Sequence, residues 1–198
     1  MSKIRFVSMI IILLSTVFTA YLPAADAAKS PADADEMGWY KDAVVYEVFV
    51  RSFKDSDGDG KGDLKGLIEK LDYLNDGKPG TGNDLEVTAL WLMPVFQSPS
   101  YHGYDTTDYY NINKDYGTNA DMELLLKEAH KRGIRIILDF VINHSSNRHP
   151  YFIDAMKGPQ SDKRDWFVWR KDLPGGWGQP WSPSSPPTSV WHKVKDSY

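Results

Sequence analysis

Arg135-Ile136-Ile137-Leu138-Asp139-Phe140-Val141-Ile142-Asn143-His144 decides the fold of this chain. It opens as an unbroken apolar run, Ile136-Ile137-Leu138, rich in β-branched side chains. A strand with one wet face alternates, so a continuous run predicts a strand buried on both faces. Asp139, Asn143 and His144 then arrive close together. The carboxyl end of a buried parallel strand opens onto the crevice where α/β folds place their ligands. An acid, an amide and an imidazole delivered there form a candidate site. From this stretch alone, a polar strand end capping the next loop accounts for them equally well.

Working outward, Ala43–Phe53 carries Val44-Val45-Tyr46-Glu47-Val48-Phe49-Val50, a strong strand signal. Leu64, Leu67, Ile68, Leu71 and Leu74 sit at helical spacing, which predicts an amphipathic helix over Leu64–Leu74. Val87–Val95 reads as a second apolar strand ended by Pro94, followed by a long loop, Phe96–Thr118. Asn119–Arg132 is a second helix, capped by Thr118 or Asn119 and stopped by Gly133. The order strand, helix, strand, helix, strand predicts parallel strands joined by right-handed crossovers. The loops after strands are elaborate, whereas the helix-to-strand return at Gly133 is tight. That asymmetry fits the wall of a TIM (β/α)8 barrel, whose function sits on the loops after its strands. Residues 39–144 would be its first part, about three β/α units. Beyond His144 the periodicity is lost, and residues 145–198 read as the start of an irregular or β-rich inserted domain, with Trp166, Trp169, Trp177, Trp181 and Trp191. A whole barrel takes roughly 250 residues, so a fragment of a larger protein is the favoured reading over a small open α/β domain.

The 198 residues carry a net charge of −4 and no cysteine. A mildly acidic balance argues against nucleic acid or an anionic membrane as partner. Without Cys there is neither a disulfide framework nor a thiolate metal site. Residues 1–28 read as a secretory signal peptide: Lys3 and Arg5 in the charged region, Phe6–Phe18 as the apolar region, and Ala25-Asp26-Ala27 as the cleavage site. The alternative is an uncleaved anchor. Residues 29–38 form a short Ala/Pro/Asp linker. The mature protein is therefore expected to be secreted and free of membrane; its oligomeric state is not legible.

Two stretches carry chemistry. Asp55-Ser56-Asp57-Gly58-Asp59-Gly60-Lys61-Gly62-Asp63 alternates four carboxylates along a tight loop, which is repulsive without a counter-cation. Hard oxygen ligands at every second position suit Ca²⁺, with Asp55, Asp57, Asp59 and Asp63 as ligands and Lys61 adding its backbone carbonyl. An EF-hand is excluded, because its twelfth position would be Gly66 in place of the bidentate Glu. A merely solvated acidic turn is the alternative. The second stretch holds Tyr101, His102, Tyr104 and Asp105. Flat aromatic faces beside hydrogen-bonding groups fit a pyranose ring, although each residue taken alone reads equally as loop packing.

Taken together, these residues resemble the α-amylase family of glycoside hydrolases. Pro94-Val95-Phe96-Gln97-Ser98-Pro99-Ser100-Tyr101-His102-Gly103-Tyr104-Asp105 resembles the family's loop after its second strand. Asp139-Phe140-Val141-Ile142-Asn143-His144 matches its D-x-x-x-N-H hallmark, and Asp55–Asp63 is similar to the Ca²⁺ loop of many bacterial members. The resemblance implies a retaining hydrolase of α-1,4-glucan in starch or maltodextrin. It implies that Tyr104 stacks on the sugar at the cleavage subsite, with Tyr101 and His102 alongside. His144 would bind that sugar's hydroxyls, Asp139 would hold the hydrogen-bond network, and Asn143 would be a ligand of a second Ca²⁺. The retaining mechanism needs a nucleophile and an acid about 5–5.5 Å apart. The resemblance places both after later strands, so none of these residues is expected to be catalytic and the polypeptide alone is expected to be inactive. An α-glucosidase, an oligo-1,6-glucosidase, a trehalose-forming enzyme or a non-catalytic Ca²⁺-dependent carbohydrate-binding relative are the alternatives. Tyr101 favours the amylase, because exo-acting relatives usually carry an acid there.

Overall fold

The computed structural model describes residues 38–176, 178 and 190–198. The expected signal peptide, most of the linker, and Trp177 and Trp181 lie outside them. Three short strands, β1 (Val45–Val48), β2 (Ala89–Leu92) and β5 (Arg135–Leu138), form one sheet in the order β1-β2-β5. Both pairings are parallel, with Val48 beside Leu92 and Leu92 beside Leu138. The expected strand–helix–strand alternation therefore builds an α/β sheet. Each strand ends on the same side of the molecule, and that side collects the polar segments.

One face of this sheet carries the core. Val48, Leu90 and Leu92 are buried against Leu64, Leu67, Leu71 and Leu74, and against Leu125 and Ala129 of α4 (Asn119–Lys131). The other face, with Glu47, Trp91 and Ile137 in one register layer, is open. The expectation of a third strand buried on both faces is therefore corrected: Arg135–Ile137 are half-buried and Leu138 is exposed. An apolar run shows what a strand favours, and only its neighbours decide what covers it.

Other boundaries differ for local reasons. β1 stops at Val48, and Val50–Phe53 turn into a short helix, α1, because buried Val50 serves the core in either geometry. β2 is shorter than the expected Val87–Val95. The helix expected over Leu64–Leu74 is two, α2 (Leu64–Glu69) and α3 (Leu71–Leu74), with a tightened turn at Lys70 whose N–H reaches the Leu67 carbonyl. The apolar stripe survives that break, since its four leucines remain fully buried. The loop Phe96–Thr118 contains an irregular antiparallel pair, β3 (Phe96–Gln97) and β4 (Asp108–Ile112). After His144 come α5 (Pro150–Ala155), a 3₁₀ turn at Arg164–Trp166 and an isolated bridge between Val194 and Ser197. Among the described residues after His144 there is no β-strand beyond that bridge. None of their helices is long and apolar enough to cross a membrane.

α4 shows how sequence fixes an element end. Thr118 is the cap: its hydroxyl accepts from the Asp121 N–H, while the Asp121 carboxylate accepts from the Thr118 N–H at 2.8 Å, a capping box. Asn119 is used otherwise, its Oδ1 accepting from the Ile112 N–H. Gly133, at φ +73°, takes the left-handed conformation that ends the helix. Thr118→Ala is expected to cost about 1 kcal/mol, read as a lower urea midpoint. Bonding to Thr118 lowers the Asp121 carboxyl below its ordinary 3.8. Its contribution is therefore full above that value and is lost as pH falls through the lower folded one. The urea midpoints of Asp121→Asn and the parent should converge in that acid window.

Candidate functional site

The segments leaving β2 and β5 meet. The Tyr104 hydroxyl donates to Asp139 Oδ2 at 2.8 Å, and His144 Nε2 lies 3.0 Å from the Tyr104 carbonyl. A carbonyl only accepts, so the His144 proton sits on Nε2. Nδ1 is then free to accept from the Asn143 amide at 3.2 Å, so one neutral tautomer serves both contacts. Bonding to Asp139, with burial adding to it, pushes the Tyr104 phenol up to about 12. At neutral pH it is a donor.

The loop that presents Tyr104 is built to turn back on β2. Gly103 sits at φ +82°, and a side-chain carbon there would lie 2.8 Å from the Pro94 carbonyl oxygen. Asp105 anchors the turn by accepting from Ser98 Oγ at 2.6 Å and from Ser100 Oγ. Burial pushes its carboxyl up, and the two hydroxyls outweigh it to leave it lowered. His102 Nδ1 accepts from the Tyr104 N–H, and its ring stacks on Tyr104 with centroids 6.1 Å apart. Tyr101 meets His102 edge-on at 5.4 Å and is 67% exposed, leaving its own ring face to solvent. Tyr101, His102, Tyr104, Asp139 and His144 thus stand in one contiguous group.

Tyr109 and His149 escaped the sequence reading. Tyr109, on β4, shares its hydroxyl between the Val141 and His144 carbonyls, at 2.8 and 2.9 Å, and so pins the segment after β5. Its signal was the run Asp108-Tyr109-Tyr110, read only as loop. His149 is buried and caps α5 through Nδ1, and burial lowers its pKa. Both line a cleft of about 600 Å³ with Phe140, Asn143, His144 and Trp166. The cleft shares His144 and Asn143 with the cluster, so aromatic walls continue from the polar group.

On the loop after β1, Asp55, Asp57 and Asp63 each bring a carboxylate oxygen within 4.8 Å of the others. Backbone N–H groups hold them: Gly58 and Gly60 donate to Asp55 at 2.6 and 2.9 Å, and Gly66 donates to Asp63 at 2.7 Å. The Gly58 and Gly60 bonds lower the Asp55 carboxyl. For Asp63, burial raises it, and the Gly66 and Ser56 donors outweigh that to leave it lowered. Among the described residues, no Lys or Arg nitrogen comes within 4.0 Å of these three carboxylates. Three converging hard-oxygen carboxylate donors fit Ca²⁺. Asp59 is not brought into the trio; its Oδ1 accepts from the Lys61 N–H at 2.8 Å. Around Asn143 no group of three His, Asp or Glu forms among the described residues.

Comparison with known proteins gives the family. The catalytic-domain model of the alpha-amylase family matches residues 47–198. The chain belongs to that family, and its sheet is the N-terminal part of the family's TIM barrel. It is 54% identical over 136 residues to Alpha-amylase 3 of Dictyoglomus thermophilum, covering 69% of this chain and 26% of that protein. It is 46% identical over 136 residues to an oligo-1,6-glucosidase of Parageobacillus thermoglucosidasius, covering 68% and 23%. The crystal structure of an alpha-amylase from H. orenii superposes with a TM-score of 0.66 at 58% identity, over 69% of this chain and 28% of that one. The chain thus spans about a quarter of the length of these relatives.

Proposed function

We propose that this chain supplies the sugar-holding side of the cleft of a secreted, Ca²⁺-binding α-glucan hydrolase of the α-amylase type. The observation that carries it is the Tyr104–Asp139–His144 group, joined by hydrogen bonds across 35 and 40 residues of sequence. Tyr104, with Tyr101 and His102 beside it, offers a flat face to a glucose ring, and His144 reaches the ring's hydroxyls. Asp139 fixes the tyrosine. These residues position substrate, and the bond-breaking carboxylates of a retaining hydrolase are proposed to lie on other β/α units. Ca²⁺ would be held by Asp55, Asp57 and Asp63, and would tie the loop after β1 to α2 by charge neutralisation. Asn143 is the proposed ligand of a second ion.

The test is a chimera in which this chain replaces the matching segment of Alpha-amylase 3. Turnover of soluble starch near the parent rate supports the reading, and a folded chimera without activity sinks it. The 46% identity to an oligo-1,6-glucosidase supports a second reading, α-1,6 specificity. It predicts that the same segment moves activity from starch towards isomalto-oligosaccharides. The 198-residue polypeptide by itself is expected to turn over starch only at background. For the metal, Asp57→Ala is expected to weaken Ca²⁺ binding at least about tenfold, followed by displacement of Tb³⁺ luminescence. An unchanged affinity would remove the loop assignment.

A further inference from the structure

We propose that Asp115 holds the Lys61 ammonium away from the Asp55–Asp57–Asp63 carboxylates and so keeps that loop open to a divalent cation. This rests on the Ca²⁺ reading of the loop. Lys61 is the one cationic residue inside Asp55–Asp63. A flexible ammonium in a ring of carboxylates is the ring's natural internal counter-ion, since it is tethered and always present. Yet Lys61 Nζ lies 3.1 Å from Asp115 Oδ1 and 3.7 Å from Asp59 Oδ2, and not against the trio.

Asp115 is well fixed for this task. Its second oxygen accepts from Arg51 Nη1 at 3.0 Å, and its backbone N–H donates to Asn113 Oδ1 in a tight turn. The other flanking cations are drawn off as well: Lys54 donates to the Asp55 backbone carbonyl and lies 3.8 Å from Glu69, and Lys65 lies 4.0 Å from Asp121. Each of these cations thus has an acceptor other than the three converging carboxylates. Asp115 is the positioning residue in that set, because it restrains the lysine best able to close the loop on itself.

The experiment is a Ca²⁺ titration of the chain at low protein concentration, by displacement of Tb³⁺ luminescence, on three variants. Asp115→Asn keeps an amide oxygen for Arg51 and removes the charge that holds Lys61. It should weaken Ca²⁺ binding roughly three- to tenfold. Asp115→Asn with Lys61→Met should bind at least as tightly as the parent, and Lys61→Met alone likewise. If Asp115→Asn binds as the parent does, or if the double variant stays as weak as the single one, Asp115 merely supports the loop and the proposal is overturned. If the parent itself fails to bind Ca²⁺, the cation reading of the loop falls and takes this one with it.

Discussion

In the chimera, Asp139→Ala is expected to lower starch turnover about a hundredfold or more. The reason is geometric. Asp139 accepts the Tyr104 hydroxyl at 2.8 Å and so sets the ring face, next to His144 held at 3.0 Å by the Tyr104 backbone carbonyl. Removing it leaves a half-buried hydroxyl without an acceptor and lets the ring turn. A misplacement of about 1 Å at a reacting centre costs about a hundredfold. Asp139→Asn separates the contributions: its amide oxygen still accepts from Tyr104, so orientation is kept and only the charge is lost. Tyr104→Phe keeps the ring and loses the bond, and should fall between, at about tenfold. Tyr104 does not titrate across an ordinary assay range, because its phenol is pushed up to about 12, so these differences should not vary with pH on its account. An Asp139→Ala chimera within threefold of its parent would sink the positioning role.

Much of this arrangement was legible for one reason: it depends on local spacing. The stripe Leu64, Leu67, Leu71, Leu74 gave the buried face whether or not the helix broke at Lys70. Thr118 and Gly133 announced α4, and alternating aspartates announced a loop whose carboxylates converge. The meeting of Tyr104 with Asp139 was different, since no periodicity links residues 35 apart. It was reached through the parallel order of the strands and the resemblance to a known family. What stayed hidden is equally physical. Val48-Phe49-Val50 is apolar whether it continues as strand or coils into α1, and β3–β4 pairs through a register shift that leaves no alternation. Asp59 sits in the same alternation as Asp57, yet it is not among the three carboxylates that converge. A one-dimensional pattern supplies candidates for a loop, and the backbone turn selects among them.

The same limit governs the sheet, and it leads to the second large effect: the 198-residue polypeptide should self-associate at micromolar concentration. The order β1-β2-β5 leaves the outer edges of β1 and β5 without a strand partner among the described residues. Those edges are apolar as well as open. Val45 is 49% exposed on one side, and Phe140 and Ile142 are 58% and 81% exposed beyond the other. Proteins ordinarily blunt such edges with charge, proline or a covering element. Here Arg135 stands at the start of β5, and its far end runs into Phe140. Sedimentation velocity should show species larger than a monomer, with bound hydrophobic dye. Leu138→Lys with Ile142→Lys should shift the population towards monomer, because charges at an open edge oppose strand pairing. The chimera is the internal control: its remaining β/α units meet both edges, so the same surface should cease to associate there. A monodisperse, dye-free monomer of the unmodified polypeptide would mean that these edges are already satisfied.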